Sequence, residues 1–104
     1  MGRLDEAFSV VVTVGKEIAH PNTSEHFISW IVLYFKPEGK SLVYELGKQT
    51  FSAHGASTDG PNSITMHTAP QAVFQIKVGT PGTLIATSYC NIHGLWESSQ
   101  DVSF

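Results

Sequence analysis

The chain has 104 residues, 41% of them hydrophobic and 14% charged, with a formal net charge of −3 at pH 7. That is enough chain for one domain with a single buried core, and its surplus of apolar residues over an average soluble protein points to a homo-oligomer. The six Lys and Arg residues are scattered, so there is no basic stripe for nucleic acid, and no apolar run nears the roughly 20 residues that cross a membrane.

Residues 7–14 begin the apolar pattern and read as a strand. They follow Asp5 and Glu6 rather than a positive region, unlike an export signal. With one cysteine in the chain, the expectation is a cytoplasmic protein in a reducing compartment. The segment His20-Pro21-Asn22-Thr23-Ser24-Glu25-His26 then places two imidazoles around a turn-forming stretch. Residues 27–35 fit helical spacing at Ile28, Ile31, Val32 and Phe35, but their aromatic and β-branched density and Pro37 beyond favour a strand buried on both faces.

Pro37-Glu38-Gly39, Asp59-Gly60-Pro61-Asn62 and Thr80-Pro81-Gly82 are turns, in which Pro presets φ and Gly accepts the positive φ that follows. Between and beyond them, residues 42–46, 72–78 and 84–89 read as strands, and 51–54 and 96–104 as two further ones. No long helix is predicted. The expected fold is all-β: an immunoglobulin-like β-sandwich of about seven strands, with residues 1–104 a single domain.

The last clear strand runs into Cys90-Asn91-Ile92-His93. A lone thiol cannot close an internal disulfide, and a histidine three residues later points to a metal. By itself a cysteine at a strand end is usually a small buried hydrophobe, and neither Cys-x-x-His nor His-x5-His is specific. Together they gain weight, because loops ahead of one strand and behind another cluster at the ends of a sandwich. Three imidazoles and a thiolate exclude calcium and magnesium and suit zinc, iron or copper. On ligand chemistry alone a closed tetrahedral zinc site stands level with iron.

The segments Val14-Gly15-Lys16-Glu17-Ile18-Ala19-His20-Pro21-Asn22-Thr23-Ser24-Glu25-His26, Phe51-Ser52-Ala53-His54-Gly55 and Ser88-Tyr89-Cys90-Asn91-Ile92-His93-Gly94-Leu95-Trp96 resemble the superoxide reductase family, which includes neelaredoxins and the iron domain of desulfoferrodoxins. The likeness runs from about Val10 to the chain's end, and the two ligand motifs together are highly specific. It implies one mononuclear non-haem iron (Fe2+/Fe3+), with His20, His26 and His93 as equatorial ligands and Cys90 as the axial, catalytic sulfur. It also implies one-electron reduction of superoxide to hydrogen peroxide, a small electron donor such as rubredoxin, and a homotetramer.

The family's fourth histidine comes from an N-terminal segment beside a glutamate and a lysine, whereas no histidine precedes His20 here. Lys16 and Glu17 do not occupy the family's positions. The fourth place then falls to water, to His54 or to His67, although His54 reads first as a structural histidine. A backbone N–H from Ile92 or His93 is expected to donate to the Cys90 sulfur. The alternatives are a non-catalytic metal-binding or electron-transfer domain of this fold and a zinc-stabilised structural domain.

Overall fold

The computed structural model describes residues 6–103, which form six antiparallel strands and no helix. They are β1 (Phe8–Thr13), β2 (Ile28–Pro37), β3 (Tyr44–Thr50), β4 (Gln71–Ile76), β5 (Gly82–Cys90) and β6 (Gly94–Val102). β1 pairs with β4 in a small sheet, and the other four form a larger one in the order β3-β2-β5-β6. The fold is therefore the two-layer all-β arrangement that the strand pattern predicts.

Residues 27–35 settle as the central strand β2, which hydrogen-bonds to β3 on one side and β5 on the other. Ile31, Leu33 and Phe35 are buried, and so is Val32 between them. A strand covered on both faces needs apolar residues at consecutive positions, which mimics helical spacing over so short a run. β3 begins two residues later than its apolar pattern and extends through the polar Glu45–Thr50 stretch (45–50). It is an edge strand held by backbone pairing, so side-chain hydrophobicity marks its position poorly.

Residues 51–54 do not form a strand. Phe51 is buried in the core, and His54 makes only an isolated bridge to His67. The last predicted strand is present as β6, while Phe104 at its predicted end lies outside the described residues.

The core divides into two clusters along the sandwich. Leu33, Phe35, Ile76, Val78, Leu84 and Val102 fill one end. Ile28, Ile31, Phe51, Ala72 and Cys90 fill the other, so the thiol is packed on the core side and faces the loops from below. Pairing of β2 with β5 shifts register between Ile28 and Trp30. This bulge at Ser29 adds one residue to β2 and turns Ile28 inward beside Cys90, where a regular ladder would have faced it out.

Candidate metal centre

Two connections meet at the Cys90 end of the sandwich. The first joins β1 to β2 and carries His20 and His26. It turns back on itself at Gly15, whose φ is +79°. A Cβ there would lie 2.5 Å from the His20 backbone nitrogen, so only glycine permits this approach. Further on, Thr23 and His26 close a local turn through reciprocal backbone hydrogen bonds of 2.9 and 3.3 Å.

The second connection is the tight turn between β5 and β6. Cys90 is the last residue of β5 rather than a loop residue. Gly94 closes the turn at φ +82°, and His93 N–H donates to Cys90 Sγ at 3.4 Å. That bond offsets negative charge on a thiolate and, around a metal, tunes it.

Side chains brace the two connections to each other and to their surroundings. Asn91 Oδ1 accepts from Phe27 N–H at 2.9 Å, and Asn91 Nδ2 donates to the Glu25 carbonyl at 2.8 Å. Asn62 Oδ1 accepts from Ser24 N–H at 2.8 Å, its own N–H donates to Ser24 Oγ at 3.0 Å, and its Nδ2 reaches both Glu25 carboxylate oxygens at 2.8 Å. The Asn62 amide, with the Glu25 backbone N–H, holds the Glu25 carboxyl below its ordinary pKa. Asn62 sits at φ +54°, a conformation that asparagine tolerates better than most residues. The sequence marks this stretch only as a turn. Its reach across 37 residues to Glu25 has no local signature.

The four predicted donors converge. One ligand atom each from His20, His26, Cys90 and His93 lies within 4.8 Å of all the others. Nε2 of His20 and Nε2 of His26 are buried without any hydrogen-bond partner, a costly state unless something electrophilic sits between them. His20 Nδ1 lies 2.7 Å from the Pro21 carbonyl; a carbonyl can only accept, so the ring proton sits on Nδ1 and Nε2 is left bare, as a metal ligand requires. His93 Nδ1 stands 3.7 Å from Cys90 Sγ. The His26 imidazole is held below its ordinary pKa by lost solvation and by the neighbouring His20 and His93, which keeps it in the neutral, ligating form.

The ring positions say how such an ion would be surrounded. His26 lies between the other two, with centroids 4.9 Å from His20 and 4.8 Å from His93, while His20 and His93 are 6.4 Å apart. Metal–nitrogen bonds of about 2.1 Å put ring centroids about 3.2 Å from the ion, so right-angle pairs stand about 4.5 Å apart, opposite pairs about 6.4 Å, and every tetrahedral pair about 5.2 Å. The three rings therefore form a T, three corners of a square with one corner open, and not three corners of a tetrahedron. Cys90 approaches from the core, while His93 is exposed. The donor set fits a mononuclear transition metal with open coordination positions.

Neither His54 nor His67 is among the converging donors. His54 is buried, its ring stacked on Phe27 at 3.9 Å between centroids, with Nδ1 2.8 Å from Asn22 Oδ1 and Nε2 3.0 Å from the Phe51 carbonyl. Both nitrogens are thus engaged, and the ring supports the ligand loop through Asn22. His67 is exposed.

The desulfoferrodoxin family profile matches residues 2–99. The chain is 56% identical over 99 residues to the neelaredoxin of Megalodesulfovibrio gigas, covering 95% of this chain and 76% of that one. It is 54% identical over 96 residues to the superoxide reductase of Pyrococcus furiosus, covering 92% and 77%. The solved structure of the superoxide reductase (neelaredoxin) of Archaeoglobus fulgidus in its reduced form superposes with a TM-score of 0.90 at 53% identity, covering 94% of this chain and 80% of that one.

Proposed function

The chain belongs to the desulfoferrodoxin family, and from that premise we propose that it is a superoxide reductase, an oxidoreductase that converts superoxide to hydrogen peroxide. The observation that carries this reading is the convergence of three histidine nitrogens and one cysteine sulfur within 4.8 Å, two of the nitrogens buried and unpartnered. His20, His26, His93 and Cys90 hold one mononuclear non-haem iron. When bound, iron supplies the single electron that, with superoxide and two protons, makes hydrogen peroxide without releasing dioxygen.

The protein's own groups prepare that reaction. Cys90, the catalytic thiolate, supplies electron density from the core side, and the His93 N–H bonded to it limits how much, which sets the electron's availability. Neutral imidazoles leave the positive charge of the centre uncancelled, so an anion is attracted. The Pro21 carbonyl fixes the His20 tautomer. Asn91 ties the two connections together and Asn62 braces the first from the segment between β3 and β4, so the donors need no rearrangement during turnover. The exposed His93 edge admits water as the source of protons.

The T-shaped arrangement supports iron over a closed tetrahedral zinc site. A small electron carrier such as rubredoxin would restore the reduced state through a transient contact, and the buried, unpaired thiol suits a reducing, cytoplasmic setting. Association into a homo-oligomer, a homotetramer on the family resemblance, is supported by exposed Leu42 and Val43 just before β3, Tyr44 at its start, and Leu95 and Trp96 on β6.

The test is stoichiometric. Reduced, iron-loaded protein given superoxide should yield one peroxide per superoxide consumed and no dioxygen, while a thiolate-to-iron visible band develops. One peroxide per two superoxides, with dioxygen, would mean dismutation instead.

A further inference from the structure

The outer face of the larger sheet, on the far side of β5 from the donors, carries an aromatic pair that the metal centre does not use. Alternation along β2 and β5 sends Ile31 and Cys90 into the core and Trp30 and Tyr89 outward. There the register pairs them, and their rings stack at 14° with centroids 5.7 Å apart. Lys48, opposite Val32 on β3, holds its ammonium 5.1 Å from the centre of the Trp30 ring, within cation–π range. Tyr89 is 38% exposed whereas Cys90 is 1% exposed, so a partner protein meets the tyrosine and not the sulfur. One peptide bond joins the two residues. An electron tunnels far better through an unbroken chain of covalent bonds than across a gap, and stacked rings overlap their π systems.

We propose that Trp30 and Tyr89 are the point of electron entry, and that the occupant of this patch is a small one-electron carrier protein with acidic groups around its redox edge. The inference rests on the superoxide reductase reading above. The carrier loses one electron, the ferric centre gains it through Tyr89 and Cys90 and returns to ferrous, and no bond or proton changes. Charge selects the partner, because Lys48 is fixed on the ring. Glu97, opposite Thr87 on β6, stands three strand spacings from Lys48, about 14 Å at about 4.8 Å each, beyond the Debye length of about 8 Å. Glu45 lies opposite Tyr34, further along the sheet. A second copy meeting the patch across a two-fold axis would set Lys48 near its own counterpart, which disfavours that occupant. A carrier seated here also leaves the exposed His93 edge free for superoxide and water.

The experiment uses iron-loaded protein oxidised by superoxide, a reduced rubredoxin of acidic net charge as the probe, and ascorbate as a small reductant that needs no docking face. Lys48→Glu should slow rereduction by rubredoxin about tenfold at low salt and weaken binding of oxidised rubredoxin in calorimetric titration, and both differences should fade as salt rises. Lys48→Arg should restore the wild-type rate. Tyr89→Leu should slow rereduction by rubredoxin at every salt concentration, with Trp30→Leu as the second test should that variant misfold. Wild-type rubredoxin rates in Lys48→Glu and Tyr89→Leu would overturn the proposal. An equal slowing with ascorbate would overturn it too, since the centre itself would then have changed. A drop in oligomer mass in Lys48→Glu would assign the patch, with Leu95 across from Tyr89, to a second copy instead. If superoxide develops no thiolate-to-iron band at the start, the iron reading fails, and the electron-entry proposal with it.

Discussion

The two connections that supply the donors are held by opposite means. The turn carrying Cys90 and His93 spans only Asn91–His93 (91–93) between two strands paired along their whole length, so the β5–β6 ladder positions it. The connection carrying His20 and His26 runs from Val14 to Phe27 (14–27) without regular structure. It depends on side chains from distant parts of the chain: Asn62, Asn91, and His54, which bonds Asn22 of the connection. One is rigid by topology and the other by cross-bracing. The ladder-held turn should therefore tolerate loss of single hydrogen bonds, and the braced connection should not.

The largest effect is expected at Cys90. Cys90→Ser should abolish the visible band and superoxide reduction while far-ultraviolet circular dichroism still reports a β-sandwich, since the ladder does not need the sulfur. Loss of the fold would mean that the turn is not held by the strands. Next comes Gly15→Ala. A positive φ and a 2.5 Å approach to the His20 nitrogen should cost roughly 1–3 kcal/mol, with reduced iron uptake, measured by denaturant titration and metal analysis.

Asn91→Ala removes the side chain by which the turn bonds to the other connection, and as with other groups that support metal ligands should weaken iron binding about 10–100-fold. Competition with a chelator measures this. An unchanged affinity would show the cross-brace to be dispensable. His54→Ala should leave iron content nearly intact but cost about 1–3 kcal/mol, because Asn22 and the Phe51 carbonyl lose a buried partner. Loss of metal with no loss of stability would make His54 a ligand after all.

The smallest effect is in pH. His26 titrates below its ordinary value, so between its folded and unfolded pKa values the unfolded chain binds more protons. Metal-free protein should thus be destabilised as pH falls through the ordinary histidine range near about 6.5, with no effect above it. Glu25, lowered chiefly by Asn62, contributes above the ordinary carboxylate pKa and loses that contribution as pH falls through its folded value. Urea midpoints between neutral and acid pH, with His26→Gln as the control lacking the histidine slope, check both signs.

Much of this was legible from residue order. β2 could be recognised from its aromatic and β-branched density despite helical spacing, and both ligand motifs stood out by type and spacing. β3 was placed poorly because an edge strand pairs through backbone atoms that every residue carries. Residues 51–54 looked like a strand because Phe51 is truly buried, yet His54 is bound by its side chain rather than by a ladder. Asn62 read as a turn residue, since its role depends on Ser24 and Glu25, which no local pattern connects to it.

What the sequence by itself determined is the chemistry: one thiol, the imidazoles of two motifs, and enough alternating apolar residues to make sheets that bring loops to one end. What only the tertiary structure decided is the arrangement: how closely the three rings converge, their T shape, and the core-side approach of Cys90. The physical reason is range. Residue type and spacing encode local conformation, but two of the three distances in the T join side chains 67 and 73 positions apart, and those exist only once the two sheets have packed.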